Sequence, residues 1–285
     1  MMKMEFQRQS GFTLIEAIMV MTITAVLAAG VAVFLRKPID GYLDLSRRAE
    51  LSDIADTAVR RISRDLHLAL PNSVRVVPAD RSCLEFIPTV NGGRYRAELA
   101  GNVFDTATAL STFDVLGPLS SAPVSGDKIV VFNLGIAGAD AYAGDNVATV
   151  AAGTTSALIN LSPSFQFPFT SPGRRFHVIS KDEQSVFYVC AKAGAGSIGL
   201  DAAGNGNAVL YRLVRSITAA TPGACPAIPA NTPVLAQNLS ACEFVYASDV
   251  GGATERNALV SMRLGLSKSN ETVNLYHEVH VNNAP

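Results

Sequence analysis

One carboxylate stands where a carboxylate is costly. Residues Phe12 to Leu35 form an apolar run of 24 residues in which Glu16 is the only charged side chain. A helix of that length spans a hydrocarbon core of about 30 Å. An ionised carboxylate inside it costs about 2.5 kcal/mol or more, so its retention implies a partner of opposite charge. The second group with chemistry is the cysteine set, Cys83, Cys190, Cys225 and Cys242. There is no CxxC, which disfavours a zinc knuckle or a thioredoxin-type motif, and the even count suits two disulfides with three possible pairings. Strand positions favour Cys190 with Cys225, because "TPGAC" can return to the end of "SVFYVC". They favour Cys83 with Cys242, because "CLEF" and "CEFV" both open strand-like segments.

Other motifs look chemical and read better as structure. "GAGSIG" (Gly194 to Gly199) matches GxGxxG, but "LDAAGNGNAV" comes after it, and a dinucleotide site needs a helix there. It reads as a hairpin loop. "HEVH" (His277 to His280) lies in a strand-like segment, where two residues three apart point to opposite faces and cannot share an ion. "DAYAGDN" (Asp140 to Asn146) and "DAAGNGN" (Asp201 to Asn207) gather oxygen ligands of the kind calcium takes. Neither fits EF-hand spacing, and both read as polar loops. Arg94 and Arg96 in "GGRYR" read as salt-bridged residues near a strand edge. No nucleophile–base order, paired-carboxylate motif or phosphate loop is present. The reading is therefore of a protein that is not an enzyme, with no cofactor and no metal site.

The elements that position these residues follow from pattern. Net charge is −1 and charged residues are 16% of the chain, so nothing draws it to nucleic acid. In residues 36–71, Leu51, Ile54, Ala58, Ile62, Leu66 and Ala69 recur at spacings of three and four. This is an amphipathic helix with one buried stripe. Arg60, Arg61, Arg64 and Asp65 fall mostly on its other faces. Pro71-Asn72 stops it, and Pro38 and Gly41 predict a kink or local break. From residue 72 the helical period gives way to β-forming segments punctuated by Gly, Pro, Asn and Ser. Among them are "CLEFIPTV", "SVFYVCAK", "AVLYRLVRSI", "ALVSMRLGLS" and "TVNLYHEVHV". Residues 101–170 are rich in Gly, Ala and Ser and read as long loops with a few strands. The fold class is α+β: a long N-terminal helix, transmembrane then amphipathic, packed on an antiparallel β-sheet domain with long loops.

The segment "SGFTLIEAIMVMTITAVLAAG" resembles the N-terminal signature of type IV prepilins and pseudopilins. Gly11, Phe12, Thr13, Leu14 and Glu16 all fall in register. An ordinary signal peptide is the competing reading, with Ala28-Ala29-Gly30 as its cleavage site. The resemblance implies a leader, 1–11, removed by prepilin peptidase between Gly11 and Phe12, and N-methylation of Phe12. It implies a transmembrane and assembly helix over 12–35, an amphipathic helix over 36–71 and a β-rich periplasmic domain over 72–285. The new ammonium of Phe12 would then meet Glu16 of a neighbouring subunit, or of its own chain. Lys3 and Arg8 precede the run while Arg36 and Lys37 come after it, so charge does not set orientation. The resemblance places the N-terminus in the cytoplasm and the bulk in the periplasm, with later passage to the pilus. The implied partners are the inner membrane, prepilin peptidase, the major and minor pilins of one fibre and the pilus assembly platform. "RDLHLALPNSVRV", "LEFIPTVNGGRYRAEL" and "ETVNLYHEVHVNNAP" further resemble the minor pilins of mannose-sensitive-haemagglutinin-type pili. Three roles follow: a minor pilin in a tip or initiation complex, a tip-displayed adhesin for a glycan or surface, or a minor pseudopilin of type II secretion.

Overall fold

The computed structural model describes residues 11–77, 81–192, 196–220, 222–247 and 257–285. Residues 1–10 of the expected leader lie outside them. One helix, α1 (Leu14–His67), is followed by thirteen strands. The first eight are β1 (Arg75–Val76), β2 (Cys83–Phe86), β3 (Asn91–Tyr95), β4 (Leu110–Leu116), β5 (Lys128–Val130), β6 (Val147–Thr149), β7 (Leu158–Phe165) and β8 (Arg175–Ile179). The last five are β9 (Ser185–Lys192), β10 (Ala208–Arg215), β11 (Val234–Ala247), β12 (Asn257–Lys268) and β13 (Glu271–Asn282). By its contacts the chain divides into two units, Met1–Ala49 and Glu50–Pro285.

Of the kink or local break expected at Pro38 and Gly41, the local break does not occur, since α1 continues through both. A proline removes one hydrogen-bond rung, and the rungs on either side can carry the helix past it. The end of α1 tightens into i→i+3 bonds, Leu68 N–H to Asp65 O and Ala69 N–H to Leu66 O, both 3.1 Å. Asn72 then takes a positive φ of 58° ahead of the first strand.

In the larger unit, seven antiparallel strands form a sheet in the order β1-β2-β9-β10-β11-β12-β13. The helical stripe packs on one face of it. Leu51, Ala55, Ala58, Ile62 and Leu66 are fully buried, and they meet Leu84, Phe86, Tyr188, Leu210, Phe244, Met262 and Leu264. Each buried Leu or Ile contributes roughly 1.5–3 kcal/mol, which fixes this stretch of helix far more firmly than propensity does.

Residues 101–170 contain more order than their composition announces. They supply β4, β5, β6 and β7 to a second sheet, ordered β6-β5-β8-β3-β4-β7. Its ends meet: Val150 bridges Leu161, and Ala151 N–H donates to Asn160 O at 2.8 Å. The sheet thus closes on itself around Tyr95, Phe104, Phe113, Phe167 and Phe176. Arg94 and Arg96 are accordingly not beside an edge strand, because β3 lies between β8 and β4. Arg96 does ion-pair, with Asp114 at 3.2 Å. A third cluster, Leu70, Ile87, Val130, Ala141, Tyr142 and Ile179, packs the segments that follow α1 and β2 against β5 and β8 of the second sheet.

Candidate functional site

The residues singled out at the N-terminus are organised by one cap. Thr13 precedes the first helical residue, its Oγ1 accepts from Glu16 N–H at 3.3 Å, and its carbonyl accepts from Ala17 N–H at 3.1 Å. Thr-x-x-Glu is the sequence of a capping box. The cap sets where α1 begins and leaves the Gly11–Phe12 bond outside the helix. Phe12 is 79% exposed, so the bond is accessible from outside the chain. Among the described residues nothing requires glycine at position 11, since a Cβ there would meet no atom within 4 Å. Any demand for glycine comes from whatever acts on the bond. Glu16 lies in the first turn, where the positive end of the helix dipole favours a carboxylate.

The helix beyond the cap is apolar on every side. Leu14, Ile18, Met21, Val26, Val33 and Phe34 are all exposed by half or more of their surface. This is the one helix long and apolar enough to cross a membrane among the described residues. Its hydroxyls are satisfied locally: Thr22 donates to Met19 O at 2.9 Å, and Thr24 to Val20 O at 2.7 Å. An apolar medium offers no water to do this.

The other end of α1 is held by a buried polar group that the sequence pattern assigns to the outer faces. Asp65 is only 7% exposed. It accepts from Tyr188 Oη at 2.7 Å and from Arg212 Nε at 2.9 Å, and Arg61 approaches at 3.2 Å. Glu183 completes the set by pairing with Arg212. Burial, and then the hydrogen bond to Asp65, push the Tyr188 phenol well above its ordinary range. Spacing could have revealed Asp65, which lies three residues after Ile62 and four before Ala69, on the stripe itself.

The cysteines form two disulfides, with a pairing that differs from the expected one. Cys83 bonds Cys225 and Cys190 bonds Cys242. The reason is the face of the sheet. Cys83 is opposite Val189 in the β2–β9 register, so it shares a face with Val189. Cys190, the next residue, points to the other face. Cys83 and Cys225 pack with Val77, Phe187, Val189 and Leu213 away from the helix, whereas Cys190 and Cys242 lie on the helix side. Joining Cys190 to Cys225 would require a bond through the sheet.

The remaining motifs are used structurally. His277 and His280 both lie on β13, where strand alternation sends them to opposite faces. Asp140 accepts from Tyr142 N–H at 2.9 Å and Asp145 from Gly138 N–H at 2.8 Å. Tyr142 Oη and the nearby Asn133 Nδ2 tie this region to the segment between α1 and β1, donating to Ser73 O and Pro71 O. Asp201 accepts from Ala203 and Asn205 N–H, and these bonds hold its carboxyl below the usual range. Gly194 and Ala195 of "GAGSIG" lie outside the described residues. That motif leads into a turn closed by a Leu200–Gly206 bridge, not into a helix.

No curated protein and no solved structure matches the chain. Residues 6–32 match the family model described as the prokaryotic N-terminal methylation motif, a span that holds Gly11, Phe12, Thr13 and Glu16. With the cap and the apolar helix it opens, that match identifies a type IV prepilin-like N-terminus on this chain.

Proposed function

We propose that this protein is a minor pilin, resembling the MshO protein of mannose-sensitive-haemagglutinin-type pili, and acts in the tip or initiation complex of a type IV pilus. Prepilin peptidase cuts between Gly11 and Phe12, Phe12 is N-methylated, and the apolar helix anchors the chain once through the inner membrane with the sheets in the periplasm. The observation that carries this reading is the capped helix start: the Gly11–Phe12 bond, which on this reading is the one cut, lies exposed and outside the helix, within the matched motif. Two disulfides suit an oxidising compartment. During assembly the helix exchanges lipid for the helices of other pilins, and Glu16 pairs with the ammonium of a neighbour. The role is one of assembly, not catalysis.

Intact mass of the membrane form tests the processing step. A chain starting at methylated Phe12 is expected, and one starting near Gly30 or Ala32 would establish an ordinary signal peptide instead. Glu16→Ala is expected to insert as well as wild type, because a buried charge is removed, and to enter purified fibres at no more than about a tenth of the wild-type level, since the neighbour's ammonium is left unpaired. Wild-type incorporation would refute the pairing.

A further inference from the structure

β3 and β8 set two arginines side by side on the outer face of the second sheet. In the register of these strands Arg94 stands directly opposite Arg175. Both are exposed, and the residues next to them, Tyr95 and Phe176, turn inward to the aromatic core. Like charges at opposed positions of antiparallel strands destabilise a sheet. Among the described residues neither guanidinium has a carboxylate partner. The nearby carboxylates are already taken: Asp114 pairs with Arg96 at 3.2 Å, and Glu98 with Arg174 at 2.6 Å. The ion pair expected for Arg96 thus forms, and the one expected for Arg94 does not. The positive excess is local, since the chain as a whole carries a net charge of −1.

The backbone around the pair is bare. On β3, Gly92 shares the face of Arg94 and is itself exposed. It stands opposite His177, and a Cβ there would lie 3.6 Å from His177 Nδ1. Ahead of β8, a Cβ at Gly173 would meet Arg175 Nε at 3.1 Å and Cδ at 3.4 Å, so the arginine stem lies across that glycine. Two glycines therefore make a shelf on which the forks of the guanidinium groups stand clear.

Such forks bind oxyanions through paired N–H donors. A single carboxylate would cancel one of the two charges and leave the other. A phosphate monoester carries about −1.5 to −2 charges at neutral pH, with three acceptor oxygens. It can neutralise both arginines and accept from both forks. We propose that Arg94 and Arg175 form a binding site for a phosphate monoester group, borne by a sugar or a glycerol headgroup or present as free phosphate. The proposal goes beyond the pilin reading and does not depend on it, because it involves residues of the second sheet alone.

The full chain in a phosphorus-free detergent is titrated with inorganic phosphate at fixed ionic strength and pH, and binding is read from broadening of the phosphorus NMR line. A Kd of about 1 mM is expected. Arg94→Gln or Arg175→Gln should weaken binding at least about tenfold. Arg94→Lys or Arg175→Lys should weaken it at least about threefold, because lysine keeps the charge and loses the fork. The glutamine variants should melt no lower than wild type, since repulsion between opposed charges is relieved. Arg60→Gln, which alters an exposed arginine on α1, should bind as wild type. Competition then names the source. Glucose 6-phosphate at least about tenfold tighter than phosphate points to a phosphorylated glycan, glycerol 3-phosphate to a headgroup, and neither to free phosphate. Acetate should compete at least about tenfold more weakly. An unbroadened line, glutamine or lysine variants that bind as wild type, glutamine variants that melt lower, or equal weakening by Arg60→Gln would each overturn the proposal. So would acetate competing as well as phosphate, or a thymidine oligonucleotide competing more tightly than any monoester.

Discussion

Residues 14–34 and residues 50–67 belong to one helix and meet opposite conditions. The first stretch is apolar all round, buries nothing against its own chain, and closes its hydroxyls on its own carbonyls. The second buries one stripe and fixes its place with an aspartate. A helix that is apolar on every side needs an apolar surrounding from elsewhere, and an amphipathic one needs a partner face. The chain supplies the partner face itself, as a seven-stranded sheet, and leaves the surrounding of residues 14–34 to something else, which on the proposed reading is membrane or fibre. Stability in the second stretch is therefore a property of tertiary structure, and in the first a property of sequence and medium. The two halves should respond differently to reduction, to substitution and to acid.

Reduction should separate them most. Each disulfide is expected to stabilise the larger unit by about 2–4 kcal/mol through the loop it closes, and the apolar helix is outside both loops. Full-length protein in detergent should lose Tm sharply on reduction while the helical signal of residues 14–34 persists. Non-reducing peptide mapping of the same sample should yield Cys83–Cys225 and Cys190–Cys242 peptides. A Cys190–Cys225 peptide would contradict the assignment of the two bonds to opposite faces.

Asp65→Ala comes next. It leaves Tyr188 Oη without its acceptor and Arg212 with Glu183 alone, and removing one member of a buried pair costs about 3 kcal/mol. Asp65→Asn keeps an acceptor for Tyr188 and should lose less. Equal denaturation midpoints for wild type and the alanine variant would show that the aspartate does not fix this end of the helix.

The sequence was legible wherever a period survives. The stripe from Leu51 to Ala69 is the buried face, and "SVFYVCAK" coincides with β9. The closed second sheet was not legible, because β5 and β6 have three residues each, too few to show alternation. Its core gathers Phe104, Phe113, Phe167 and Phe176 from loops and strands far apart in the chain. The disulfide pairing was hidden for a related reason. It depends on whether Cys83 stands opposite Val189 or Cys190, and a register shift of one residue exchanges the faces. At the N-terminus the reverse holds: the matched motif is local, and Thr13 and Glu16, which form the start of the helix, could be placed without tertiary information.

Acid should weaken the sheet unit by a smaller amount. His177, on β8, has a buried Nε2 with no hydrogen-bond partner. Burial, and then the charge of Arg175, lower its pKa to about 4 from 6.5. Between those values the unfolded chain binds the proton and the folded chain does not, so stability is complete above about pH 6.5 and falls as pH drops toward 4. For a half-buried ring the loss is about 2 kcal/mol after allowing for solvent screening. His177→Gln should flatten that part of the stability–pH curve. An unchanged slope would mean that the imidazole is protonated without cost in the fold.

The smallest effect is at the cap, and it probes the half of the helix that tertiary structure does not hold. Thr13→Ala removes the acceptor of Glu16 N–H, a change worth about 1 kcal/mol at a helix N-terminus. In residues 50–67 a loss of that size would be absorbed, because the stripe fixes the helix regardless of its ends. Among the described residues nothing packs on residues 14–34, so here the first turn should fray, which amide hydrogen exchange at Glu16 and Ala17 in micelles can detect as about fivefold faster exchange. Thr13→Ser should restore protection, since a serine hydroxyl caps equally well. Fraying moves Glu16 out of the helix's positive end while leaving Gly11–Phe12 exposed, so cleavage should continue in the alanine variant and fibre entry should fall. If cleavage falls instead, the peptidase reads the cap and not the exposed bond alone.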